Sequence, residues 1–413
     1  PAADASVCTA SNCYHWATTG EHAVVDTDRD GNDIPDYVDT VIETVDGVRQ
    51  VYLTAGYRMP KPDGVAGGNA KTDIYLEDTG AENLYGYCTS DQPTTSTSYD
   101  LWAYCVLDND YTRSQFPTNT PVENLQVTAA HEYFHAIQYA YDAFEDSWFL
   151  EATATWAEDE LYDDVDDNVQ YLHNSPLTRP GRPLDSYSAE GEQYGEWIFF
   201  RFLTEELDEA EGGMPVLVRE MWERADAAGE ADDDYSMQAI ERVLADRGVS
   251  FPTAFGYFAS ANRVPRLSYD EGAGNGYPSV GPAGTYKLTS SKRDSGWKSW
   301  TLEHLSAATV RFVPGSGLTS GEAQAHGRPA VGRVGRGGAR GAQVRPGPGR
   351  AGSDPWDDGG VRVVEGEVRR GDARQRRYQL RLLDQRAVLL PGVLARRRPP
   401  APGAGERAAV TVR

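Results

Sequence analysis

Cysteine, lysine and long apolar runs are all scarce in this chain, and each shortage narrows the possibilities. The four cysteines among 413 residues include no Cys-x-x-Cys pair, which excludes a zinc knuckle or a thioredoxin-like redox motif. No stretch approaches the ~18–20 consecutive apolar residues that a membrane-spanning helix requires. Cationic side chains are few where the chain is richest in pattern. Residues 1–315 hold 20 Lys+Arg against 54 Asp+Glu, a net of −34. Such a body presents no basic face for phosphates, which argues against nucleic acid as a partner and suits a protein that binds cations. No basic-plus-apolar leader precedes "PAADAS", so any signal peptide is expected to have been removed or left out.

The content that is present is enough to fold. With 39% hydrophobic and 10% aromatic residues, the chain can build real cores, and its length allows two or three domains. Cys8, Cys13, Cys88 and Cys105 form an even set in the first quarter, which predicts two disulfides and an oxidising, extracellular setting. Three pairings are open. The short loops favour Cys8–Cys13 and Cys88–Cys105, contributing about 2 and 3 kcal/mol by loop-closure entropy.

Periodicity divides the chain into four parts. Residues 1–121 read as a mixed α/β lobe: Val38, Val41, Ile42, Val45, Val48 and Val51 recur at helical spacing, and "TDIYLED", "LYGYCTS" and "LWAYCVLDND" follow as strand candidates. Residues 122–264 read as helical, with segments at Val122–Tyr141, Ser147–Tyr162, Glu190–Leu207, Met214–Ala227, Tyr235–Asp246 and Pro252–Asn262. Residues 265–315 alternate like part of a small β-domain. Residues 316–413 are Arg/Gly/Pro-rich, with 19 Arg, no Lys and 9 acidic residues. Arginine without lysine is what a GC-rich gene gives in the wrong frame, so a frameshifted tail is expected there, or a disordered basic one.

The chemistry concentrates in "VTAAHEYFHAIQYAYD", Val127 to Asp142. Residues four apart on a helix lie within about 40° of one face, so His131 and His135 can point two imidazoles at one ion. Glu132 lies about 100° around the helix and can reach a water beside that ion without ligating it. The alternative is an ordinary helix whose histidines make structural hydrogen bonds.

A catalytic zinc site needs a third protein ligand. Gln138 and Tyr141 stand where a metzincin would have Gly and His, which rejects that class. "DSWFLEATATWAEDELYDD" instead supplies Glu151, sixteen residues after His135, on a second helix joined by a short turn. Glu158, seven residues further along the same face, is placed to hydrogen-bond the free nitrogen of a ligand histidine, and is the substitute ligand should Glu151 not serve.

"HEYFHAIQY…WFLEATATWAEDE" resembles the gluzincin metallopeptidases, and is similar to a group of uncharacterised secreted bacterial metalloproteases. The resemblance spans roughly residues 20–265 and is strong only over Val127–Asp163. It implies an α+β, zincin-like fold, with His131, His135 and Glu151 as zinc ligands and Glu132 as general base. The activity expected is endopeptidase cleavage of a protein or peptide through a water activated by zinc and Glu132. An oxyanion donor is also needed, and Tyr194 is preferred over Tyr187. Ala152 stands where this family most often has Gly, and the spacer before Glu151 is short for it.

"VDTDRDGNDIPDYVD" raises a second metal. Asp26, Asp28 and Asp30 alternate before Gly31, the pattern of an oxygen-lined calcium loop, with Asp36 completing the shell, Asp39 a further candidate beside it, and the Asn32 carbonyl contributing. It is not an EF-hand, because no Glu occupies the twelfth position. Two further readings stand beside the zinc endopeptidase. One is a non-catalytic extracellular calcium-binding module on a protease-like fold, and the other is a zinc hydrolase of non-peptide amides.

Overall fold

The computed structural model describes residues 3–315, except 94–98, 208–209, 229–233, 290, 293–294 and 296–297, together with the runs 327–329, 386–389 and 407–412. The expected frameshifted or disordered tail therefore lies outside the described residues apart from those three short runs. The described chain is mixed α and β and separates into two compact units. The first comprises residues 1–175, 185–251 and 269–277. The second comprises 176–184, 252–268 and 278 onward. The expected boundary at 121/122 falls inside the first unit, and the last expected helix, Pro252–Asn262, groups with the β-segments of the second.

The first unit is built on a five-stranded mixed sheet. Strands β1 (Ala5–Cys8) and β2 (Asn12–Trp16) form an antiparallel hairpin whose ends are joined by the Cys8–Cys13 disulfide. Helix α1 (Asp36–Thr54) follows, and then β3 (Thr72–Glu77) pairs parallel to β2. β4 (Gly86–Thr89) and β5 (Tyr104–Asp108) complete the sheet in the order β1-β2-β3-β5-β4, with β5 parallel to β3 and β4 antiparallel on the edge. Cys88 and Cys105 face one another across the last pair and are bonded. Both favoured disulfides are thus present.

Helix α1 buries Val38, Val41, Val45 and Val48 of the stripe that its sequence spacing predicts, together with Tyr52, and leaves Ile42 half-buried. Val51 belongs to the same pattern but remains partly exposed. Helix α2 (Pro121–Asp142) packs against α1, β4 and β5. Its start is over-determined: Thr120 accepts from the Glu123 N–H, the Glu123 carboxylate accepts from the Thr120 N–H, and Pro121 occupies the first turn. Nearly all of its central residues are buried, polar ones included, so its polar groups must find partners inside the protein.

After Ala143–Asp146, helix α3 (Ser147–Leu161) packs on α2. A 3-10 segment (Asp167–Asn174), α4 (Glu192–Gly195) and α5 (Trp197–Leu207) cover α3. Two-residue strands β6 (Ala210–Glu211) and β7 (Met214–Pro215) then lead into α6 (Val216–Arg224) and α7 (Met237–Asp246). The expected single helix Glu190–Leu207 is therefore two. At the break, a Cβ on Gly195 would meet the carbonyl oxygens of Asn174 and Tyr171 at 2.8 and 2.9 Å. The backbone comes that close only because the residue is glycine.

The second unit carries α8 (Phe251–Ala261, of which Phe251 groups with the first unit), α9 (Pro265–Ser268), and strands β8 (Gly284–Leu288), β9 (Lys298–Glu303) and β10 (Ala308–Pro314). Strands β8 and β10 pair in parallel, over a small core of Leu302, Ala308, Val310 and Phe312. The strand expectations for this region hold. Among the described residues, no helix is long and apolar enough to cross a membrane.

Candidate metal centre

Helices α2 and α3 bring His131, His135 and Glu151 together. One ligand atom from each lies within 4.8 Å of the other two. Glu151 Oε2 is 3.3 Å from His131 Nε2 and 3.6 Å from His135 Nε2. For a tetrahedral ion with bonds of ~2.0–2.2 Å, neighbouring ligand atoms stand about 3.4 Å apart. Two imidazoles and one carboxylate at this spacing therefore fit a borderline-soft ion such as zinc, and supply too few oxygens for calcium.

The outward nitrogens of both rings are also engaged. His131 Nδ1 is 2.6 Å from Glu158 Oε1, and His135 Nδ1 is 2.7 Å from Gln138 Oε1. Burial opposes charging His131, but its hydrogen bonds to Glu151 and Glu158 outweigh that and raise its pKa well above the ordinary value. His135 is raised too, because the nearby Glu151 carboxylate overcomes burial. Burial likewise works to raise Glu151, yet the two histidines hold it well below the usual carboxylate range. Burial pushes Glu158 up to about 7 despite His131. Carboxyl groups thus gather around two imidazoles, an excess of acidic groups that a bound cation would compensate.

Glu132 is buried one residue beyond His131, and its Oε2 has no hydrogen-bond partner among the described residues. Burial raises its pKa, with His131 and His135 offsetting part of the rise. Its main chain lies against the disulfide, Cys88 Sγ being 2.7 Å from the Glu132 carbonyl oxygen. Edge strand β4 passes close beside it: a Cβ on Gly86 would meet Val106 O at 2.8 Å, Thr128 Cγ2 at 2.9 Å and Glu132 Cγ at 3.3 Å.

Tyr194, on α4, has its ring centroid 6.1 Å from that of His131 and stacks on Tyr171 at 5.1 Å. Burial and the charge of Glu151 raise its phenol. The structure therefore brings Tyr194 beside the cluster, while Tyr187 is 59% exposed. Gln138 and Tyr171 went unread as site residues. Gln138 falls three residues after His135, a spacing that faces its neighbour on a helix. Tyr171 offers no local signal.

In the Asp26–Asp39 loop the carboxylates hydrogen-bond main-chain and side-chain donors of the loop. Asp28 accepts from the N–H groups of Gly31, Asn32 and Asp33 at 2.7, 3.3 and 3.0 Å. Asp30 accepts from Asn32, and Asp36 accepts from the Arg29 N–H and pairs with its guanidinium at 3.1 Å. Asn32 donates to Asp39 at 3.0 Å, and Asp26 is exposed. Among the described residues these carboxylates form no close group of three. The oxygens of Asp28, Asp30, Asp36 and Asp39 thus have donors within the loop.

A second acidic group, Asp159, Asp163 and Glu271, does converge. Its centre is taken by Arg201, whose guanidinium lies 3.1, 3.9 and 2.9 Å from those three carboxylates and 2.9 Å from Glu205. A fixed internal cation already supplies the charge.

No protein-family model matches the chain, and no curated protein matches it.

Proposed function

We propose that this chain is a zincin-like, zinc-dependent peptidase of the gluzincin type that acts outside the cell. The observation carrying the proposal is the convergence of His131, His135 and Glu151 beside a buried Glu132 whose Oε2 lacks a hydrogen-bond partner among the described residues. His131, His135 and Glu151 would hold the metal through Nε2, Nε2 and Oε2. A bound zinc ion supplies Lewis acidity and lowers the pKa of water. Glu132 takes the proton from the attacking water and delivers it to the leaving amine, its raised pKa suiting a group that must both accept and release. Tyr194 donates its O–H to the developing oxyanion. Glu158 and Gln138 hold the two imidazoles in the tautomer that leaves Nε2 free. Two disulfides fit an oxidising setting.

The first test is metal content of the dialysed full chain by plasma mass spectrometry, together with casein and small-amide turnover. Stoichiometric zinc with casein cleavage is expected. Glu132→Gln should keep the zinc and lose roughly 10²–10⁴-fold in turnover, the usual contribution of a general base. A folded protein that refuses zinc on titration would sink the proposal, and turnover of small amides alone would redirect it to a non-peptide hydrolase.

A further inference from the structure

We infer that Gln138 is a positioning residue that fixes the tautomer of His135 and ties it to the helix carrying Glu151. The inference rests on the metal-centre reading above and deepens it.

The amide of Gln138 touches three groups. Its Oε1 is 2.7 Å from His135 Nδ1, and its Nε2 is 2.9 Å from the Leu150 carbonyl oxygen and 3.0 Å from Thr153 Oγ1. The two ends of an amide cannot in general be told apart by shape, so the direction must come from the partners. Here the partners leave one choice. The Leu150 carbonyl is an acceptor only, so a donor must face it.

Thr153 leads to the same assignment by a separate route. Its hydroxyl hydrogen is directed to the Phe149 carbonyl at 2.7 Å, and its oxygen accepts from Trp222 Nε1, which can only donate, at 3.2 Å. The remaining lone pair of Thr153 calls for a second donor, which is again Gln138 Nε2.

With Nε2 fixed on that side, Oε1 faces His135, and the group opposite it must carry a hydrogen. His135 therefore holds a proton on Nδ1, and its Nε2, which faces Glu151, is the nitrogen left to ligate a metal. The direction of one buried chain, from Trp222 on α6 through Thr153 on α3 and Gln138 on α2, thus sets the state of an imidazole whose far nitrogen faces the metal position. The same contacts lock α2 to α3 within two residues of Glu151, so the rotation of His135 and the placement of the third ligand are coupled. His131 is held otherwise, by the carboxylate of Glu158. A carboxylate at position 138 would set an oxygen against the Leu150 carbonyl, which is why a neutral amide suits this site.

The test compares Zn²⁺ affinity of the full chain and of Gln138→Met, by competition with a chromophoric chelator, alongside the melting temperature of each metal-free protein. Long-range ¹⁵N–¹H spectra of the histidines in the zinc-loaded wild type complete it. The expected result is 10–100-fold weaker zinc binding in Gln138→Met, the usual consequence of removing a ligand's outer partner. A slowly exchanging Nδ1–H proton on His135 should be present in the wild type. Equal zinc affinity in the two proteins, with only the melting temperature lowered, would show a structural amide and overturn the inference. If Gln138→Met does not fold, the wild-type spectrum decides alone: a His135 without a protected Nδ1–H overturns the inference. A wild type that binds no zinc removes the metal-centre reading, and the inference with it.

Discussion

Glu158 Oε1 sits 2.6 Å from His131 Nδ1, while Glu151 Oε2, from the same face of α3, sits 3.3 Å from the ring's other nitrogen. One imidazole of α2 is therefore clamped between two carboxylates seven residues apart. The spacing works because two helical turns return a side chain to nearly the same face. Glu158→Gln keeps the shape and removes the charge that makes the imidazole a stronger donor. Zinc affinity should fall about 10–100-fold, read by chelator competition. An unchanged affinity would mean that the carboxylate merely fills space.

Glu151 carries a different expectation. Its oxygen faces both histidines, and those histidines hold its pKa well below the ordinary range. Glu151→Ala should lose stoichiometric zinc while remaining folded. Full occupancy in that variant would transfer the third-ligand role to Glu158.

Gly86 is a tight point where the edge strand meets β5 and α2. A methyl there would press on Val106 O and Thr128 Cγ2 inside 3.0 Å and crowd Glu132 Cγ. Gly86→Ala should cost about 1–3 kcal/mol in denaturant unfolding, the usual price of overpacking, and lower turnover by displacing Glu132. Wild-type turnover in a destabilised Gly86→Ala would show that strand and base are not coupled.

Glu145, in the turn between α2 and α3, is buried, and that burial pushes its carboxyl up to about 8. The folded protein therefore holds a proton that the unfolded chain gives up near 4.5. Stability from this group is complete below about 4.5 and drains away as pH rises towards 8. The slope approaches 1.4 kcal/mol per pH unit at most. Glu145→Gln should flatten that part of the stability–pH curve and melt above the wild type at pH 8. Parallel curves for the two proteins would rule out this titration.

Much of the scaffold was legible locally. The expected helices at 122–141 and 147–162 appear as Pro121–Asp142 and Ser147–Leu161, because their apolar periodicity, and for the first its Thr120 capping box, are written in consecutive residues. The expected helix over Met214–Ala227 starts later, at Val216. Gly212 and Gly213 at positive φ turn the chain so that Met214 pairs with Glu211 first, and Pro215 opens the helix. The β1–β2 hairpin went unread, since strands of four and five residues leave too little alternation to register. Its disulfide was the one local sign of it.

The site divides along the same line. Sequence alone put His131, Glu132 and His135 on one helix and fixed their angular spacing, since 3.6 residues per turn is a property of the backbone. It also offered Glu151 and Glu158 at a spacing that shares a face. Tertiary structure decided what each side chain meets. The packing of α3 on α2 set Glu151 against both rings, gave His131 a carboxylate and His135 an amide, and left Glu132 buried with an unpartnered oxygen. The segments that follow α3 brought Tyr194 beside His131 with Tyr171 stacked on it, and the carboxylates of Asp28, Asp30, Asp36 and Asp39 bond within their own loop. Those outcomes depend on desolvation and on partners far apart in the chain, and a hydrogen bond between helices has no signature in the spacing of either one.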